Sequence, residues 1–147
     1  MLLKLGRYAP GWFELFTHQI QQLQRQVGRS FRQAAPVEVL FDLLADAEMP
    51  RLYASATHYI SLSHGEGWDQ PMVEAAASGL RLIAPDHGAY RAYLSPDTAT
   101  MIPSREVPAC FGGDPPLQAL FSGANWWEPH IDAAAVAIRR AIDGQDG

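Results

Sequence analysis

The 147 residues carry a formal net charge of -5, and Lys4 is the only lysine among eleven basic residues, which excludes an electrostatic grip on nucleic acid or anionic lipid. A hydrophobic content of 48% with 18% charged residues is that of a soluble globular protein of one domain, residues 1–147, with no apolar run long enough to span a bilayer. Cys110 stands alone, so an internal disulfide and a cysteine-based zinc knuckle are excluded, and the N-terminus lacks a secretory h-region; a cytoplasmic location is the default expectation.

Short apolar runs alternate with amphipathic stretches, the pattern of a parallel sheet covered by helices. "LLKLG" (residues 2–6) reads as a strand. Phe13, Phe16, Ile20, Leu23 and Val27 follow at helical spacing across a Gln-rich polar face. "VEVLFDLL" (residues 37–44) is the next strand, and Asp46 is placed to cap a short helix through Ala56, with Pro50 in its first turn. "HYISLS" (residues 58–63) is a third strand. Asp69 then supplies an N-cap, Pro71 suits the first turn, "MVEAAAS" propagates a helix and Gly79 stops it in a left-handed conformation. "LRLIAP" (residues 80–85) is a fourth strand, a helical turn covers Ala89 to Leu94, and "TATMI" adds a fifth strand. Residues 103–130, rich in Pro and Gly, read as a long loop that Trp126 and Trp127 fasten to the core, before a last Ala-rich helix from Ile131 to Ile142. The expected class is α/β, a Rossmann-like parallel sheet with helices on both faces.

The chemistry concentrates in "HGEGWDQPMVEAAASG", residues 64–79. In open parallel sheets ligands bind beyond the carboxyl ends of the strands, where this loop must lie. The N–H groups that open the following helix have no intrahelical partners and attract anions such as a diphosphate. Gly65 and Gly67 permit close approach, Glu66 is placed to accept hydrogen bonds from ligand hydroxyls, and Glu74 lies one turn into the helix with its side chain tilted back toward the start. A helix N-terminus for phosphates and two carboxylates for hydroxyls together describe a nucleotide-sugar. Trp68 has two readings, stacking on a base or sugar and packing on its own scaffold. His64, Asp86 and His87 end adjacent strands, and their loose spacing makes a poor metal signal. No G-x-G-x-x-G follows a strand, which disfavours a dinucleotide. A hydrolase would need the two carboxylates facing across one glycosidic bond.

"EGWDQPMVE" followed by "AAASGLRLIAPDHGA" resembles the Glu-x7-Glu motif of retaining, two-lobed (GT-B) glycosyltransferases of the group 1 type, and the likeness to their C-terminal, donor-binding lobe runs from about Leu2 through Ile102. The resemblance implies that Glu66 contacts the donor sugar near the reacting carbon and acts as the catalytic glutamate. It implies that Glu74 holds the ribose hydroxyls, that amides from Gly67 to Met72 face the diphosphate of a UDP-, GDP- or ADP-sugar, and that Gly65, Trp68 and His64 complete the substrate site. It implies no metal and no cofactor. Against the family's pattern the lobe's first strand and helix and the N-terminal, acceptor-binding lobe are missing, so the chain reads as a partial GT-B lobe, with the acceptor glycan or other small acceptor held elsewhere. Asp69 stands where the family commonly has glycine, and its carboxylate is expected to compete with phosphate for the same amides. The alternative is a non-catalytic interaction module that kept the fold.

Overall fold

A computed structural model of the chain describes residues 1–5, 12–30, 33, 36–111 and 115–145. It divides into two compact units, Met1–Glu48 and Met49–Gly147.

The first unit holds β1 (Leu2–Lys4), α1 (Trp12–Val27) and β2 (Glu38–Leu40). The two strands pair in parallel, Leu3 opposite Val39. Phe13 and Phe16 of α1 make T-shaped contacts with Phe41 at ring distances of 5.6 and 6.3 Å, so the start of the apolar stripe packs against the segment following β2, whereas Leu23 and Val27 farther along it are exposed. Both strands are shorter than their apolar runs, and residues 41–44 leave the ladder.

The second unit is built on three parallel strands, β3 (His58–Ile60), β4 (Arg81–Pro85) and β5 (Thr100–Ile102), in the order β3-β4-β5. Each unit thus has its own parallel pairing, two strands in the first and three in the second. Helices pack on both faces of the three-stranded sheet, and the alternation of side chains along β4 shows why. Leu82 and Ala84 share one core with Met72 and Ala75 of α3 (Gln70–Ala77), Tyr53 of α2 (Met49–Ala54) and Tyr90 of α4 (Tyr90–Tyr93). Ile83 faces the other way and joins Ile102, Ala134 and Ala137 of a C-terminal helix, Ile131–Ile142. A central strand covered on both faces must be a continuous apolar run, as "LIAP" is.

Helix α2 starts at Met49, not at Asp46, which lies in the preceding turn; Glu48 instead turns back to accept the N–H of Ala45 at 2.8 Å. The larger correction concerns residues 103–130. Where a long loop was expected, β6 (Ser104–Pro108), α5 (Pro115–Leu120) and β7 (Asn125–Pro129) form a unit whose two strands pair antiparallel, Glu106 opposite Trp127. Prolines at the ends of both strands sit where a missing N–H costs no ladder bond. The C-terminal helix, here α6, is capped by His130, whose Nδ1 accepts the N–H of Ala133 at 3.3 Å. No helix among the described residues is long and apolar enough to cross a membrane.

Candidate functional site

Because β3 and β4 are parallel and in register, Ile60 opposite Ile83, the segments that leave their carboxyl ends emerge side by side. The imidazole of His87, after β4, donates from Nε2 to the carbonyl of Ser63, after β3, at 3.0 Å. The hydroxyl of Ser63 in turn donates to the carbonyl of Gly65 at 3.0 Å and tightens the turn into Glu66. His87 is 1% exposed and its Nδ1 has no partner among the described residues, so burial holds its pKa below the ordinary histidine value; the backbone bond to Ser63 opposes that shift only in part. A depressed folded-state pKa means the unfolded chain binds the proton more readily. Stability is therefore full above the unfolded pKa, near 6.5, and falls as the pH drops below it. In urea titrations at pH 7.5 and 5.5, the midpoint of the wild type is expected to fall more than that of His87→Asn; equal drops would contradict the assignment.

Helix α3 opens as read, with one unforeseen feature. Asp69 is its N-cap and Pro71 lies in the first turn, while Gly79, at φ 82°, follows the last turn as the left-handed residue. Asp69 itself is left-handed, at φ 51° and ψ 67°, and is the only non-glycine residue with positive φ among the described residues. An ordinary N-cap is extended, so this one is held by its contacts. One carboxylate oxygen accepts the N–H of Met72 at 3.2 Å and the phenol of Tyr59 at 3.5 Å; the other accepts the phenol of Tyr90 at 2.8 Å. Tyr90, fully buried, also meets the hydroxyl of Ser61 at 2.7 Å. Burial, and then the carboxylate, push the phenols of Tyr59 and Tyr90 well above the ordinary tyrosine value, so both stay protonated donors.

Glu74 is half-buried and aimed by Tyr53, whose phenol donates to one carboxylate oxygen at 2.9 Å. Burial and that bond raise the Tyr53 pKa in the same way. Among the described residues the second oxygen has only a long bond, 3.4 Å, from the exposed amide of Gln70. Glu66 is exposed, and its carboxylate has no hydrogen-bond partner among the described residues. Between the two glutamates, the N–H groups of Glu66, Gly67, Trp68, Asp69 and Gln70 likewise have no partner among those residues, whereas the N–H of Met72 is bonded to Asp69. The side chain of Met72 is fully buried, so Met72 presents no group to a ligand on this surface. The expected competition is present at one amide: Asp69 occupies that of Met72, along with the phenols of Tyr59 and Tyr90, and leaves the amides from 66 to 70.

Trp68 lies 49% exposed against Tyr93, ring centres 4.8 Å apart, with its carbonyl accepting the Tyr93 phenol at 2.9 Å. Packing on its own scaffold is thus part of its role. Gly65 and Gly67 have open space where a Cβ would project, so the chain surface there is accessible. His64 is exposed and stacked on Trp126 at 4.1 Å, and its carbonyl accepts the N–H of Trp127 at 3.1 Å, so β7 does fasten to this loop. His64, Asp86 and His87 do not form a metal cage: among the described residues no three His, Cys, Asp or Glu converge. Asp86 is instead paired with Arg91 at 2.7 Å, and the bond from that guanidinium holds its carboxyl below the usual range.

The four tyrosines and Ser61 escaped the sequence reading. They come from α2, from β3 and the residue after it, and from α4, and no local spacing marks them; the one available sign is that tyrosines cluster in the segments flanking the Glu66–Glu74 motif. No protein-family model matches the chain, and no curated protein matches it.

Proposed function

We propose that this chain is the nucleotide-sugar-binding lobe of a retaining glycosyltransferase, a Rossmann-like GT-B C-terminal lobe that moves a sugar from a nucleoside diphosphate to an acceptor. One observation carries the reading: five consecutive N–H groups, from Glu66 to Gln70, are unpartnered among the described residues between a free carboxylate and one that a buried phenol aims. A run of unpartnered amides at a helix start suits a diphosphate. Glu74, oriented by Tyr53, offers its second oxygen to the ribose diol, and Glu66 faces the hydroxyls of the donor sugar. Gly65 and Gly67 allow the pyrophosphate to approach the backbone, and Trp68, braced by Tyr93, offers a face beside it. Retention fits a site in which the leaving diphosphate, rather than a dedicated base, receives the acceptor's proton, and the chain's part is to hold the two phosphates and the sugar in place.

A second reading, an interaction module without catalysis, has its own support. The carboxylate of Asp69 sits at the helix start and Arg91 is already tied to Asp86, so the loop gathers more negative than free positive charge. Calorimetric titration with UDP-, GDP- and ADP-glucose separates the two. Saturable binding of one of them is expected from a donor lobe; a folded chain that binds none contradicts it and leaves the interaction module.

A further inference from the structure

The β6–α5–β7 unit does more than brace the loop. With the segment from Leu62 to Gly65 it encloses an open cleft of about 550 Å³, within the size range of small-ligand sites. Its walls are aromatic. Phe111 and Phe121 stack at 4.8 Å, Trp126 presents its ring to the edge of Phe111 at 5.2 Å, and His64 lies flat on Trp126. Among the described residues no Lys or Arg lines it, so a phosphate or carboxylate would find no counter-charge from them. The polar groups at its rim suit hydroxyls instead. The imidazole nitrogens of His64 have no hydrogen-bond partner among the described residues, and the side-chain N–H of Asn125 donates to Glu106 at 3.0 Å, leaving its amide oxygen as an acceptor.

Aromatic walls with a neutral, hydroxyl-matching rim fit a ligand that has one apolar face and a ring of hydroxyls, which describes an uncharged pyranose. The location narrows its role. Gly65 lines the cleft and Glu66 follows it directly, so a sugar held here lies next to the position assigned to the reacting donor sugar. We infer that the cleft binds an uncharged pyranose unit of the acceptor. The acceptor role rests on the donor reading above; saccharide binding by the cleft does not.

Saturation-transfer NMR on the full chain, with maltotriose, cellotriose and N,N′-diacetylchitobiose as separate probes and uridine beside them, tests the inference. Transfer to the ring protons of at least one saccharide is expected, falling at least fivefold in Phe121→Ser and in Trp126→Ala. Phe121 is 39% exposed, so its replacement leaves the core in place even where that of Trp126 disturbs folding. A dispersed, folded spectrum with no transfer to any of the three saccharides overturns the inference. So does transfer to uridine alone that Phe121→Ser removes, because the cleft would then be a base site. Adding the nucleotide-sugars to the same samples keeps the two readings apart: donor binding by Phe121→Ser with no saccharide signal in the wild type sinks only the cleft, and a saccharide signal without donor binding sinks only the donor reading and with it the acceptor role.

Discussion

Glu74→Gln is expected to weaken nucleotide-sugar binding by roughly tenfold to a hundredfold while shifting the unfolding free energy by less than about 1 kcal/mol. The size follows from losing a charged acceptor toward ribose hydroxyls, about 1.5–3 kcal/mol per charge-assisted bond. The small stability effect follows from Tyr53. Its phenol donates to one Glu74 oxygen at 2.9 Å, and a glutamine carbonyl can accept the same bond, so no buried donor is orphaned. Parallel calorimetry and urea denaturation check both halves. Unchanged affinity would remove Glu74 from the site, and a large loss of stability would make it a structural residue of the Tyr53 contact.

Asp69→Gly is expected to act in opposite directions on stability and binding. Glycine adopts the left-handed conformation at φ 51° freely and recovers about 1 kcal/mol of strain. Against that, Met72 loses a cap and Tyr90 loses a charged acceptor at 2.8 Å, a bond of about 1.5–3 kcal/mol. Tyr90 keeps Ser61 as a partner at 2.7 Å, which limits the damage. The balance is a net destabilisation of about 1 kcal/mol. Binding moves the other way, because removing a carboxylate from a helix start raises its affinity for an anion, by about threefold to tenfold. An affinity that falls along with stability would mean that Asp69 serves the ligand rather than opposing it.

How much of this was legible before the fold was known depends on how local the signal is. Helix α3 is legible nearly residue by residue, because a capping Asp69, Pro71 and Gly79 each act within one turn of their own position. Strand β4 was legible because burial on both faces demands an unbroken apolar run. The β6–β7 pair was not: Asn125 to Pro129 join Ser104 to Pro108 across a helix, and such pairing leaves no periodicity in a stretch of prolines and glycines. Trp126 and Trp127 act as the fasteners their bulk suggests, but from a strand rather than a loop. The motif gave Glu66 and Glu74 as the polar centre. It could not give Tyr53, Tyr59 and Tyr90, since what aims Glu74 and holds Asp69 left-handed is a convergence of separate elements, and the sequence spacing of those tyrosines is set by topology. Met72 shows the reverse: a residue that lies inside the motif by position and inside the core by packing.

The most direct test follows the backbone amides in ¹H–¹⁵N spectra while UDP-, GDP- or ADP-glucose is added. Saturable shifts concentrated on Glu66 to Gln70, weakened by Glu74→Gln, are the expected result. Shifts confined to other surfaces, or none at saturating ligand, would contradict a diphosphate site at this loop and remove the basis for a donor lobe.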